Sequence, residues 1–193
     1  MIRIATTAAI LATTGSALAQ PAIVFDIETP TLLPGQSTTV TMLAGYGGTD
    51  YAVAGMTTNL VTSVGSEGWS DAMLVAPMNG PGTEPGTASA TGWDGIIAGQ
   101  LNFPGTGAIY ADPTNPIAFW RATYTAPVDP GAPFDVDLST MTTTYDVYLD
   151  RMRATSESRL ADLTEASGTI RVIPAPASAS LLAVGLLATR RRR

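Results

Sequence analysis

Three residue types that carry much of protein side-chain chemistry are missing from this chain, which has no cysteine, no histidine and no lysine. Without thiols there is no disulfide, no zinc–thiolate site, no iron–sulfur cluster and no thiol nucleophile. Without histidine the commonest general base, the commonest transition-metal ligand and the switch that titrates near neutrality are gone. A Ser-His-Asp triad and a Ser-Lys pair are both excluded. Charge is also scarce, at 13% of residues against 45% hydrophobic. Disorder fits these figures badly, because disordered chains combine low hydrophobicity with high charge density. The inventory points away from catalysis, so no catalytic residue and no cofactor is assigned.

What is present is glycine and proline, 19 and 14 in 193 residues, scattered between short apolar stretches. That is the profile of many short strands joined by tight turns. Charge is divided by position. Arg3 lies near the amino terminus and Arg190, Arg191, Arg192 and Arg193 close the chain. The body, residues 20–173, holds the other five arginines and all 16 acids, a formal charge of −11. Such a surface repels phosphate backbones and anionic membranes, which removes nucleic acid from the partners expected.

Both ends carry targeting features. Met1-Ile2-Arg3 precedes an uncharged run over residues 4–18 rich in Ala, Leu and Ile, and Ala17-Leu18-Ala19 supplies the small-x-small pattern of a cleavage site. Residues 1–19 therefore read as a secretory signal peptide, a helix handled by Sec-type export machinery, with Gln20 as the mature terminus. An uncleaved anchor is the rival reading, disfavoured by the shortness of the run. At the other end Pro174-Ala175-Pro176 stops the preceding strand, because proline lacks a ladder donor and fixes φ. An apolar helix of about 20 Å is expected over residues 177–189, short of the roughly 30 Å hydrocarbon core. The arginines after it would stay cytoplasmic.

A Pro-x-Pro motif, a short apolar helix and a terminal arginine run resemble the PEP-CTERM sorting signal. The resemblance covers residues 174–193 and implies an exosortase-like membrane enzyme as partner, transient residence in the inner membrane, and delivery to the cell surface or the extracellular space. Ala175 stands where that family has glutamate, so recognition through a carboxylate does not carry over. An anchor without processing remains the alternative.

Between the ends, periodicity predicts about nine strands, over residues 23–28, 37–44, 54–62, 71–76, 95–103, 117–126, 134–138, 143–150 and 168–173, separated by Gly, Pro, Asn and Asp clusters. Residues 157–163 are the one helix contender, with Ser156 as N-cap, and read equally well as a loop. The fold class expected is all-β, a single antiparallel sandwich. An early alternating strand (Ile23, Phe25, Ile27), then Pro34-Gly35, a Thr/Val-rich strand through Val40, and Ala54-Gly55-Met56-Thr57 together resemble cohesin-type sandwiches, and this likeness implies no binding residues.

Two groups of side chains are candidates for contact with ligand. Trp69 and Trp93 lie near turns, the second closing a long Gly/Pro/Thr/Ala segment over residues 77–94. Exposed indoles there would stack on an extracellular polysaccharide, and packing against the sandwich is the other reading. Trp120 reads as core. Asp135 and Asp137 share one strand face and Asp146 and Asp150 another, with apolar neighbours inward, so these carboxylates are expected in solvent. Were the two strands neighbours, the four could gather into a weak Ca²⁺ site. The function expected is that of an exported, non-enzymatic surface or matrix protein; a secreted carbohydrate-binding module is the alternative.

Overall fold

The computed structural model describes residues 20–174. The segments read as signal peptide and sorting tail, with Ala17, Ala19, Ala175, Pro176 and Arg190 to Arg193, lie outside the described residues, as do both helices expected there.

The described residues form an all-β body. Its strands in chain order are β1 (Ala22–Ile27), β2 (Thr31–Leu32), β3 (Ser37–Gly45), β4 (Ala52–Thr62), β5 (Trp69–Leu74), β6 (Glu84–Ser89), β7 (Gly92–Gly99), β8 (Ile117–Thr125), β9 (Phe134–Tyr148), β10 (Ser156–Ser158) and β11 (Ser167–Val172). One sheet has the order β1-β3-β8-β5, the other β2-β11-β9-β4-β7-β6, with β10 added to β9. Pairing is antiparallel except between β2 and β11, which run parallel.

Alternation drives the assembly. Along β3, Thr38, Val40, Met42 and Ala44 turn inward and their neighbours outward, and Leu60 and Ile96 face them from β4 and β7. Fully burying each such aliphatic side chain contributes about 1.5–3 kcal/mol. Trp120, Tyr124 and Phe119 of β8 and Tyr145 of β9 are the largest fully buried side chains in this core. Two hydrogen bonds tie sheet to sheet: the Tyr145 hydroxyl donates to the Gly45 carbonyl at 2.9 Å, and Trp120 Nε1 donates to the Pro85 carbonyl at 2.9 Å.

The structure departs from the expected elements, beyond the short added β2 and a two-residue offset of β5, in four places. Residues 134–138 and 143–150 are one strand, β9, instead of two. Val136 and Leu138 point inward from even positions, whereas Tyr145 and Val147 point inward from odd ones. A bulge reconciles the two phases: β4 residues Thr57 and Thr58 pair with Thr144 and Thr142, which leaves Thr143 as the extra residue. The segment 77–94 is not one long loop, because it contains β6. The sharp return from β6 into β7 needs Gly92 at φ 138°, where an added Cβ would lie 2.1 Å from the Leu60 carbonyl oxygen. Third, the helix contender is β10 followed by a 3₁₀ turn over Leu160–Asp162, and Ser156 does not cap it. Last, the strand expected over 95–103 ends at Gly99.

Candidate functional site

The strand directions give the sandwich two distinct ends. At one end β3, β7 and β9 finish and β4 and β8 begin, so the loops over residues 46–51, 100–116 and 149–155 converge there. The chain leaves β11 at the other end, where Val172 pairs with Phe134.

The three loops are fastened to one another through side chains. Asn102 is 4% exposed and its amide donates to the carbonyls of Asp150, Arg151 and Arg153 at 3.3, 3.2 and 2.7 Å. Its Oδ1 accepts the Ala111 N–H at 3.3 Å, which closes the hairpin over residues 102–111. Gln100 does the same one step inward: Nε2 donates to the Val53 carbonyl at 2.7 Å, and Oε1 accepts the Asp112 N–H at 2.8 Å. The Tyr148 hydroxyl accepts from the Asn102 N–H at 3.2 Å and donates to the Gln100 carbonyl at 3.0 Å. Burial raises the pKa of this phenol. The first loop joins through Asn115, whose Nδ2 donates to the Tyr46 carbonyl at 2.7 Å, and through the Tyr51 hydroxyl, which donates to Ala111 at 3.0 Å. Loops normally carry solvated backbone; here buried amide side chains satisfy the carbonyls and hold the loops as a platform.

This platform presents apolar side chains to solvent. Phe103 and Ile109 face each other across the hairpin, with mutual backbone hydrogen bonds of 2.6 and 3.0 Å, and are 61% and 54% exposed. Leu101 and Tyr110 flank them, and Met152 of the adjacent loop is 66% exposed. The Arg151 guanidinium lies 3.9 Å above the Tyr110 ring, and Arg153 pairs with Asp150 at 2.9 Å. Scattered apolar residues are ordinary on any surface; here five of them lie on two loops that Asn102 joins.

Beside it lies an open cleft of about 390 Å³ lined by Gln20, Pro21, Gly47, Gly48, Asp50 and Arg159, among others. Asp50, its side chain 7% exposed, receives Arg159 through a two-pronged contact of 3.1 and 2.9 Å. Both carboxylate oxygens are occupied by this guanidinium, so Asp50 is a structural clasp between the first loop and the turn after β10. It is not free to serve as a general acid or base.

The residues expected to contact ligand do not assemble. Trp69 is 9% exposed and packs on Tyr124 at a centroid distance of 5.2 Å. Trp93 is half-buried against Trp120, at 6.1 Å. Trp69 of β5 belongs to the core and Trp93 of β7 packs against it, which is the packing reading of the two. Asp135 and Asp137 sit at the start of β9, Asp146 near its end, and Asp150 just beyond. Because the two expected strands are one, the acid pairs lie at opposite ends of it and cannot gather round a single ion. Among the described residues no cluster of three or more Asp and Glu is placed to hold a metal. Gln20 is exposed at the cleft and Pro174 is half-buried.

No family model and no curated protein sequence matches the chain. The fold does find matches. The seventh ScaB type I cohesin from Pseudobacteroides cellulosolvens aligns at 12% identity over 82% of this chain and 94% of its own, with a TM-score of 0.51. The sixth cohesin of scaffoldin B from Acetivibrio cellulolyticus, solved in complex with a Cel5 dockerin, aligns at 15% identity over 81% and 99%, with a TM-score of 0.46. A cohesin module from a Clostridium perfringens family 33 glycoside hydrolase aligns at 12% identity over 81% and 99%, at 0.45. The body therefore has a cohesin-like fold, in agreement with the sandwich expected from its opening strands.

Proposed function

We propose that this chain is an exported, non-enzymatic binding module of the cell surface or extracellular matrix, delivered by its amino-terminal signal and sorted by its carboxy-terminal tail. In this reading Sec-type machinery carries the chain out and cleavage after Ala19 exposes Gln20. The apolar tail and Arg190 to Arg193 hold it in the inner membrane until an exosortase-like enzyme cuts near Pro174-Ala175-Pro176. The observation that carries the reading is where the folded body lies between those features. β1 starts two residues after Gln20 and β11 ends two residues before Pro174, so neither motif is consumed by the sandwich. Among the described residues no helix is long and apolar enough to cross a membrane.

The ligand class this body suits is protein. Its exposed apolar group sits on braced loops, the acids are spread along strand faces, and the tryptophans that would serve a polysaccharide are packed. Mass spectrometry of the native protein tests the proposal. Termini at Gln20 and near Pro174 are expected, and extracellular protein that still carries Arg193 would overturn the sorting step.

A further inference from the structure

We infer that the mature amino terminus is a modification site: once the signal is cut, Gln20 closes on itself to the pyroglutamate lactam. Three observations carry this, and the inference rests on the signal reading. The first is the residue type. Cleavage after Ala17-Leu18-Ala19 leaves glutamine first, and its side-chain amide carbon lies one ring closure from its own α-nitrogen. The second is where the fold takes hold of the chain. The Pro21 carbonyl accepts the Thr164 N–H at 2.9 Å, and the Ile23 N–H donates to the Thr164 carbonyl at 2.9 Å. Pro21 is buried and Ile23 belongs to the core, whereas Gln20 is exposed at the rim of the cleft. The anchoring begins one residue after Gln20, so nothing in the sandwich has to open for its side chain to turn back.

The third is that the cleft does not hold the amine in its charged, unreactive form. Two carboxylates line it. Both oxygens of Asp50 are taken by Arg159, and Asp162 is exposed, where an ion pair contributes only about 0–1 kcal/mol. An α-amine ordinarily titrates at about 7.7–8.0, so its neutral form is at hand in neutral surroundings. The step balances without an oxidant or co-reactant. The lone pair of the α-nitrogen forms a bond to Cδ, and the Cδ–Nε2 bond breaks. Nε2 leaves as ammonia, taking the proton that the α-nitrogen gives up. Both reacting groups belong to one residue, so the chain itself holds them together.

The ring has two consequences for an exported protein. Because the chain has no lysine, the α-amine of Gln20 is the single primary amine that the mature protein can hold, and closing it leaves none. Reactive carbonyls and amine cross-linking chemistry then find no target. The ring also guards an anchor. An aminopeptidase needs a free terminal amine, and removal of Gln20 and Pro21 would take away the acceptor for the Thr164 N–H. That contact ties the start of β1, an edge strand of its sheet, to the turn that precedes β11.

The test weighs the amino-terminal peptide of native exported protein and treats the denatured protein with an amine-reactive dye. A peptide that starts at Gln20 and is lighter by about 17 Da, the mass of ammonia, is expected, with no dye taken up. Gln20→Ala should keep its melting temperature and take up dye at its terminus. Dye uptake by the native protein with Gln20 first would overturn the inference and leave the signal reading standing. A terminus other than Gln20 would overturn both, and an unlabelled Gln20→Ala protein would show that the block is not this ring. Full-length precursor cut by purified signal peptidase checks the part played by the fold. Its new amine should disappear at the same rate in buffer and in urea. Closure in urea alone would show that the fold holds Gln20, and would sink the proposal.

Discussion

Glu165 Oε1 accepts the backbone N–H of Thr142 at 2.7 Å, and the same carboxylate takes the hydroxyls of Thr140 and Thr142. Thr142 adjoins the bulge in β9, where one ladder position is lost. The carboxylate supplies the acceptor that the neighbouring strand cannot, and the Thr140 hydroxyl in turn accepts from the Ala166 N–H at 2.9 Å. A bulge is thereby locked to the strand that follows it.

Removing that acceptor should loosen β9 at its middle. Glu165→Ala is expected to cost about 1–2 kcal/mol, since hydrogen bonds to a charged group contribute more than neutral ones. Glu165→Gln should recover part of this. Urea melts of the three proteins measure it, and hydrogen exchange at Thr142 should rise selectively.

Asn102 is the larger test of the platform. Asn102→Ala deletes the donor to three carbonyls and the acceptor for Ala111, all within a closely packed site. A loss of about 2–4 kcal/mol is expected, with faster hydrogen exchange over residues 100–112 and 149–155. Unchanged protection in those loops would show that backbone pairing alone holds them.

The Asp50–Arg159 clasp gives a third expectation. Arg159→Lys keeps the charge and loses the two-pronged geometry, so it should recover little of the stability that Arg159→Ala removes. Arg159→Ala should cost more than Asp50→Asn, because it leaves the more buried Asp50 carboxylate without its counter-charge, whereas the guanidinium in Asp50→Asn keeps Glu157 at 3.4 Å. Thermal melts rank the three variants.

The pH profile follows from the inventory of titrating groups. With no histidine, no side chain has its ordinary pKa near neutrality, and a flat stability between pH 6 and 9 is expected. Burial raises the phenols of Tyr145, Tyr124, Tyr46 and Tyr148 above their ordinary value of 10.0. A folded-state pKa above the unfolded one means the unfolded chain loses its proton first. This stability is therefore complete below pH 10 and falls as pH rises beyond it. Tyr145→Phe should be less stable at neutral pH, through loss of the bond to Gly45, yet show a shallower alkaline decline.

The sandwich was legible because its inward residues recur at period two, as in β3 and in Tyr145, Val147 of β9. The bulge was legible too, though only as a puzzle: an even-phase run and an odd-phase run with threonines between them read as two strands. Weak apolar content hid β6, whose residues Glu84–Ser89 sit on an edge and pair through the backbone. The platform escaped for a different reason. Leu101, Phe103 and Ile109 were apolar enough to be counted into a strand and its loop, and what exposes them is the set of carbonyls gathered by Asn102 from 48 to 51 residues away. The signal in the sequence was Pro104-Gly105-Thr106-Gly107, a turn between two apolar pairs. Trp69 and Trp93 left two readings open in the sequence, since nearness to a turn does not determine which way an indole points.

The placement of β11 has a mechanical consequence. It lies between β9 and β2, hydrogen-bonded on both edges, and six of its residues are in register with β9 from Ser167↔Ser139 to Val172↔Phe134. A pull at Pro174 resisted at the loop platform runs along these strands and not across them. Such a load shears the six pairs together, whereas a pull across the sheet would open them one after another. Resistance to rupture is governed by the unfolding barrier along the direction of pull, and this body presents its stiff axis to the line joining its tail to its far end.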